Sequence, residues 1–364
     1  MKKETQKKAQ KDIGGGFWGR LNKPFFVLAP MADVTDVAFR RMITKYGKPD
    51  VMWTEFVSAD GLFLADKEGQ KKIKKDLEYS EEERPIVAQF FTSDSDMMLR
   101  AAKYTAECGF DGFDINMGCP DRSIEKQNAG AALIKSPEKA KELIRAAKEG
   151  VAQSGRDIPV SVKTRTGYSS DILEEWLPVI LEEKPAVITI HARTRKEMSK
   201  VPADWARIKR AVEIRDEFQN GCDTKTLIIG NGDVVDLEDA QKKADETMCD
   251  GVMLGRAIFG TPWLFSSLHH KKSKSYDISY DLMKAGKTDY KVIEKRLNIL
   301  IEHTKLFGEL LPHKNFAIMK KHYKAYVNGF DGAKELRIKL METTNNNDVE
   351  KIVDEFLRSS GKPV

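Results

Sequence analysis

Cysteine is scarce in this chain and never closely paired. Only four occur among 364 residues (Cys108, Cys119, Cys222 and Cys249), and no two stand as Cys-x-x-Cys. That leaves no zinc motif and no disulfide framework, so no metal is expected and a reducing, cytoplasmic setting is. Long apolar runs are missing as well. No stretch reaches the roughly 20 apolar residues that cross a bilayer, so no membrane attachment is expected. The N-terminal segment is rich in lysine but lacks the apolar core of a secretion signal. A Gly-x-Gly-x-x-Gly fingerprint is absent after the first apolar run, which argues against a doubly wound dinucleotide-binding sheet. Histidine is nearly confined to the C-terminal part, and His191 stands alone before residue 269.

What is present is a rhythm. Hydrophobic residues make up 41% of the chain, enough for a sizeable core. Short apolar runs recur at 25–31, 51–57, 86–91, 113–117, 160–164, 187–191, 227–231 and 252–254, eight in all. Between them lie helix signals: Thr35-Asp36 ahead of 37–46, Ser93 leading to Glu107, Ser136-Pro137-Glu138 ahead of 140–151, and Asp236 leading to Ala244. Runs that are continuously apolar fit a parallel sheet covered on its outer face. Eight such units over roughly 240 residues predict a (β/α)8 TIM barrel followed by a small C-terminal helical domain. Residues 1–20, with five lysines in the first 16 and a Gly-Gly-Gly, read as a disordered lead-in. The barrel is expected over 21–265, a polar connector over 266–288, and the helical domain over 289–364.

Charge is unevenly spread. Residues 266–364 hold 19 Lys and Arg against 13 Asp and Glu, while the other 265 residues hold 42 against 43. A basic surplus at one end suits a polyanion partner. Phe316, Met319, Tyr323, Tyr326 and Val327 recur at helical spacing and read as bundle core, with Lys314, Lys320, Lys321 and Lys324 outside that stripe. Asn-Gly-Phe-Asp-Gly at 328–332 should end this helix, and 333–342 and 349–357 supply two more.

In a barrel of this type the active site is built at the C-terminal ends of the strands. There the chain places Pro30 and Met31, Glu55, Gln89, Asn116 and Cys119, Lys163 and Arg165, His191, Asn231-Gly232-Asp233, and Gly255-Arg256. Pro120 drives Cys119 out of the helical region, and the loop that follows is polar. A cysteine is often just a small buried hydrophobe, but these neighbours make Cys119 a candidate for chemistry. The loops after strands seven and eight are the usual phosphate site of the fold. Gly232 and Gly255 there let backbone approach closely, and Arg256 adds charge. Lys163 interrupts an apolar strand and so needs a functional partner. With His191 on the adjacent strand, a cation here would steady negative charge developing on a flavin.

Ala29-Pro30-Met31, Thr54–Ala59, Asp114–Pro120, Gly130–Pro137, Val162–Arg165 and Gly251–Phe265 together resemble the tRNA-dihydrouridine synthases, from about Phe25 to Leu340. The resemblance implies an FMN-containing barrel that uses NADPH to reduce uridine to 5,6-dihydrouridine in tRNA. It implies Cys119 as the general acid and Asn116 and Arg165 at the substrate. Pro30, Met31, Gln89, Lys163, His191, Asn231, Gly232, Asp233, Gly255 and Arg256 would hold the cofactor, and Lys314, Lys320, Lys321 and Lys324 the tRNA. A monomer is the expected state. Ser123 and Ser199 stand where that family often has Lys and Tyr, and Phe91-Thr92 where a glycine is common. Two other readings are an FMN barrel dehydrogenase acting on a free pyrimidine, and a non-catalytic RNA-binding protein on the same fold.

Overall fold

The computed structural model describes residues 15–269 and 289–360. The strands are β1 (Phe25–Leu28), β2 (Met52–Ser58), β3 (Ile86–Phe91), β4 (Gly112–Asn116), β5 (Val160–Arg165), β6 (Val187–His191), β7 (Leu227–Asn231) and β8 (Gly251–Leu254). All pair in parallel, in chain order from β2 to β8, with β1 beside β8. A parallel bridge between Val27 and Val51 joins β1 to β2 and closes the sheet into the expected barrel. Across that seam the Asp50 N–H donates to the Phe26 carbonyl at 2.9 Å.

Helices cover the outside: α1 (Val37–Gly47), α2 (Ala59–Leu64), α3 (Lys67–Asp76), α4 (Ser95–Glu107), α5 (Arg122–Glu125), α6 (Pro137–Gln153), α7 (Leu173–Glu182), α8 (Ala206–Phe218) and α9 (Leu237–Thr247). Asp36, Ser58, Asp66, Asp94 and Asp236 each cap a helix by accepting the backbone N–H three residues on. These caps satisfy orphan donors, and all but Asp66, which follows α2, stand at or soon after a strand end. The outer strand faces and inner helix faces form one continuous core that includes Leu28, Phe39, Phe90, Ile115 and Ile190.

A second apolar cluster fills the N-terminal end of the barrel interior, with Phe25, Val27, Trp53, Val87, Val187, Ile229 and Met253. Residues 16–20, which composition assigns to the disordered lead-in, form a 3-10 turn, Gly16–Arg20, beneath it. Phe17 and Trp18 are buried, and the Trp18 ring lies 5.5 Å from Phe25 and 5.8 Å from Trp53. Burial of two large aromatic side chains outweighs the cost of ordering this short segment. The rest of the expected lead-in and most of the expected connector, Lys271, Lys272 and Lys274 included, lie outside the described residues.

The C-terminal helices are α10 (Tyr290–Leu310), α11 (Met319–Tyr326), α12 (Ala333–Met341) and α13 (Asn346–Ser360). Their apolar faces continue the outer core of the barrel, with Phe39 of α1 stacked on His303 at 4.8 Å. Met319, Tyr323, Tyr326 and Val327 are fully buried, as their spacing predicts. Phe316 is only half-buried, because it sits in a 3-10 turn, Phe316–Ile318, ahead of the helix.

Candidate active site

The C-terminal ends of the strands surround a cavity of about 330 Å³. That volume falls within the roughly 300–1,000 Å³ range of small-molecule sites. Pro30, Met31, Gln89, Asn116, Cys119, Lys163, Arg165, His191, Asn231, Gly232, Asp233, Gly255 and Arg256 all line it. Phe56, Arg193, Met198 and Val234 line it too, none of them singled out from the sequence.

Cys119 is set by a turn that begins as β4 ends. The Asn116 Oδ1 accepts the N–H groups of Gly118 at 3.1 Å and of Cys119 at 2.9 Å, closing an Asx turn. Its Nδ2 donates to the Gln89 Oε1 at 3.0 Å. The Cys119 carbonyl in turn accepts the Ala131 N–H at 2.9 Å. Gly130 beside it adopts φ +61°, and a Cβ there would stand 2.8 Å from the Cys119 carbonyl oxygen. Only glycine satisfies both conditions. Burial pushes the Cys119 thiol above its ordinary value, opposed by a hydrogen bond from the Asp121 backbone and by the charges of Arg165 and Lys163. The thiol is therefore protonated at neutral pH.

Arg165, expected at the substrate, is engaged by the protein itself. Its Nε donates to the Gly118 carbonyl at 2.7 Å, and an NH group donates to the carbonyls of Thr194 at 3.2 Å and Met198 at 3.4 Å. It ties the cysteine loop to the loop after β6. Burial lowers its pKa to about 10, which leaves it charged at neutral pH.

Lys163 donates to the Asn231 Oδ1 at 3.3 Å, and Asn231 is anchored through Nδ2 to the Met253 carbonyl at 2.8 Å. Burial, with Arg165 nearby, lowers Lys163 to about 8, so the charged form still prevails at neutral pH. Asp114 lies on the same strand as Asn116, fully buried, and accepts from the Ser161 hydroxyl at 2.5 Å and from Gln89. Burial raises its pKa to about 6.

His191 is not a second cation. Burial first, then Arg165, Lys163, Arg193 and Arg256, holds its pKa far below the ordinary imidazole value. Four basic groups around one ring disfavour a further positive charge there, and Lys163 carries the charge beside it. Asp233 binds both Arg193 and Arg256 and is held below the usual carboxylate range by them, Arg193 first.

The four C-terminal lysines do not share one face. Lys314 lies in the chain between α10 and the 3-10 turn, so helical spacing does not extend to it. Its side chain is 11% exposed and pairs with Glu55 at 2.6 Å and Asp76 at 3.2 Å. Glu55 also accepts the Asp33 N–H, so this lysine braces the β1–α1 loop. Lys321 and Lys324 are exposed on α11 and Lys320 is half-buried there. The Lys321 ammonium is 3.8 Å from the Asp33 carboxylate, close to the cavity mouth.

Among the described residues no cluster of three or more His, Cys, Asp or Glu side chains could hold a metal ion. No described helix is long and apolar enough to cross a membrane. In overall shape the chain resembles histamine dehydrogenase from Rhizobium sp. 4-9, at 11% identity and a TM-score of 0.50. That alignment covers 75% of this chain and 48% of the other, a likeness of fold alone. Sequence carries further. The probable tRNA-dihydrouridine synthase 2 of Bacillus subtilis (strain 168) is 38% identical over 343 residues, covering 94% of this chain and 97% of that protein. The probable tRNA-dihydrouridine synthase of Staphylococcus aureus (strain COL) is 36% identical, over 93% and 95% of the two chains. The dihydrouridine synthase (Dus) family matches residues 27–360, which span the barrel, its cavity and the C-terminal helices, and the chain belongs to that family.

Proposed function

We propose that this enzyme reduces uridine to 5,6-dihydrouridine in tRNA, with FMN in the barrel mouth and NADPH as the reductant. The observation that carries the reading is a thiol, Cys119, lining the same cavity as the half-buried ammonium of Lys163. The donor set fits FMN. Lys163 and Arg256 supply positive charge, while Gln89, Asn231 and the backbone at Gly232-Asp233 and Gly255-Arg256 supply polar contacts around it. Gly255 lines the cavity beside Ala29 and Met31, and a Cβ on it would stand 3.6 Å from each.

Bound there, FMN would supply the hydride that goes to C6 of uracil. Lys163 would steady the negative charge on the cofactor, and Pro30 and Met31 would bound it on the β1 side. Cys119 would give its proton to C5. A general acid must hold its proton until the transition state, and the burial of the thiol serves that end. Asn116 and Arg165 would act on the substrate through the loop they hold, keeping the thiol at a fixed height over the cavity. Uracil in a folded tRNA must be turned out of its stack to enter. Lys321, which lies against Asp33 of the β1–α1 loop, and Lys320 and Lys324 on the same helix would bind phosphates of that RNA.

Anaerobic spectroscopy tests the cofactor assignment. The purified or FMN-reconstituted protein should be yellow, and NADPH should bleach it. A protein that takes up no FMN contradicts the reading.

A further inference from the structure

Arg193 stands two residues beyond His191, and its side chain is buried, at 3% exposure. A tight turn brings it back over the ring, with the Arg193 N–H donating to the His191 carbonyl at 2.7 Å. Each edge of the guanidinium is committed. Nε donates to the Val201 carbonyl at 2.7 Å, one terminal nitrogen pairs with Asp233, and the other lies 3.0 Å from the His191 Nε2. Arginine has donors only and stays charged, so the imidazole nitrogen facing it must offer a lone pair. We infer that Arg193 is a positioning residue for His191, fixing the imidazole as the neutral Nδ1–H tautomer so that an N–H donor, not a cation, faces the cofactor cavity.

The surroundings support this. An imidazolium would set an N–H against the guanidinium. It would also meet Lys163 and Arg165 from β5 and Arg256 from the loop after β8. The opposing carboxylate, Asp233 after β7, is already shared between Arg193 and Arg256. Among the described residues no acceptor bonds the His191 Nδ1, so its proton is the open donor of a ring that lines the cavity. A neutral donor keeps its charge constant over the whole physiological range, which a free histidine does not. The link to a cofactor rests on the function proposed above, whereas the tautomer itself does not.

The test is nuclear magnetic resonance of the cofactor-free protein with its six histidine rings labelled with nitrogen-15. Loss of one signal in His191→Gln assigns the ring. The expected pattern is Nδ1–H, unchanged from about pH 5 to about pH 8. In Arg193→Met the ring should become a tautomer mixture or titrate within that window, and Arg193→Lys, which keeps a charged donor, should move it back toward wild type. An Nε2–H pattern or an imidazolium in the wild type overturns the inference, and that spectrum decides alone if a variant fails to fold. An Arg193→Met pattern equal to wild type overturns it as well. Because no FMN is present, failure here is distinct from failure of the cofactor assignment.

Discussion

The two ends of this barrel are built from the same strands and share almost no chemistry. Reading inward-facing positions along β6, Val187 gives way to Thr189 and then His191; along β7, Ile229 gives way to Asn231; along β3, Val87 gives way to Gln89. Two residues of strand are only roughly 6–7 Å. Within that depth the interior passes from packed, mutually tilted aromatic rings over the Gly16–Arg20 turn to Lys163, Arg165, His191 and Arg193. Stability and chemistry are thus separated by depth in one interior. Crowding like charges at the open end costs stability, which the apolar end and the outer core offset.

Breaking the open end should give the largest effect. Cys119→Ala should slow uridine reduction by about 10²–10⁴-fold, the usual worth of a positioned acid. Flavin binding, bleaching by NADPH and the thermal midpoint should stay as in the wild type. Single-turnover assays of both half-reactions check this, and full dihydrouridine formation by the variant would place the proton source elsewhere.

Breaking the closed end should do the reverse. Trp53→Ala removes a fully buried ring and should cost about 3–5 kcal/mol of stability. Below its lowered melting temperature the variant should bind FMN with wild-type affinity. Urea unfolding combined with flavin titration reads both, and weakened FMN binding in a folded variant would mean the ends are not separable.

Asp114 sits where the ends meet, and it sharpens the boundary through pH. Its folded pKa is raised to about 6 from an ordinary 3.8. Its contribution is full below the unfolded value and is lost as pH rises through the folded one. Asp114→Asn should therefore gain on the wild type by about 1–3 kcal/mol between pH 4 and pH 7. Urea midpoints at both pH values check the sign, and a gap that shrinks as pH rises counts against it.

The smallest effect is expected outside the barrel. Changing Lys320, Lys321 and Lys324 together to Gln should weaken tRNA binding. Each lysine removed should flatten the salt dependence by about one unit of slope or less. NADPH bleaching should not change, and an unaltered salt slope would make this face ordinary solvated surface.

Much of this was legible in the sequence because the barrel announces itself in continuous apolar runs and its polar residues in breaks of those runs. Lys163, Asn116 and Cys119 could be found that way. Arg193 could not, although it carried the signal of Lys163, a charge against an apolar strand end. Its partner, Asp233, is 40 residues away, so no local pattern marks the pair. Helical periodicity does not reach Lys314, because the chain turns at 311–315 and brings the lysine against Glu55. Around Phe17 and Trp18 glycine and lysine dominate the composition and spell a tail, while burial depends on the two rings alone.

The most direct test mixes anaerobically reduced protein with tRNA that lacks dihydrouridine, in a single turnover. The flavin colour should return, and dihydrouridine should form in equal amount to the flavin reoxidised. Protein that stays bleached with tRNA, while a free pyrimidine restores its colour, would contradict the proposed function.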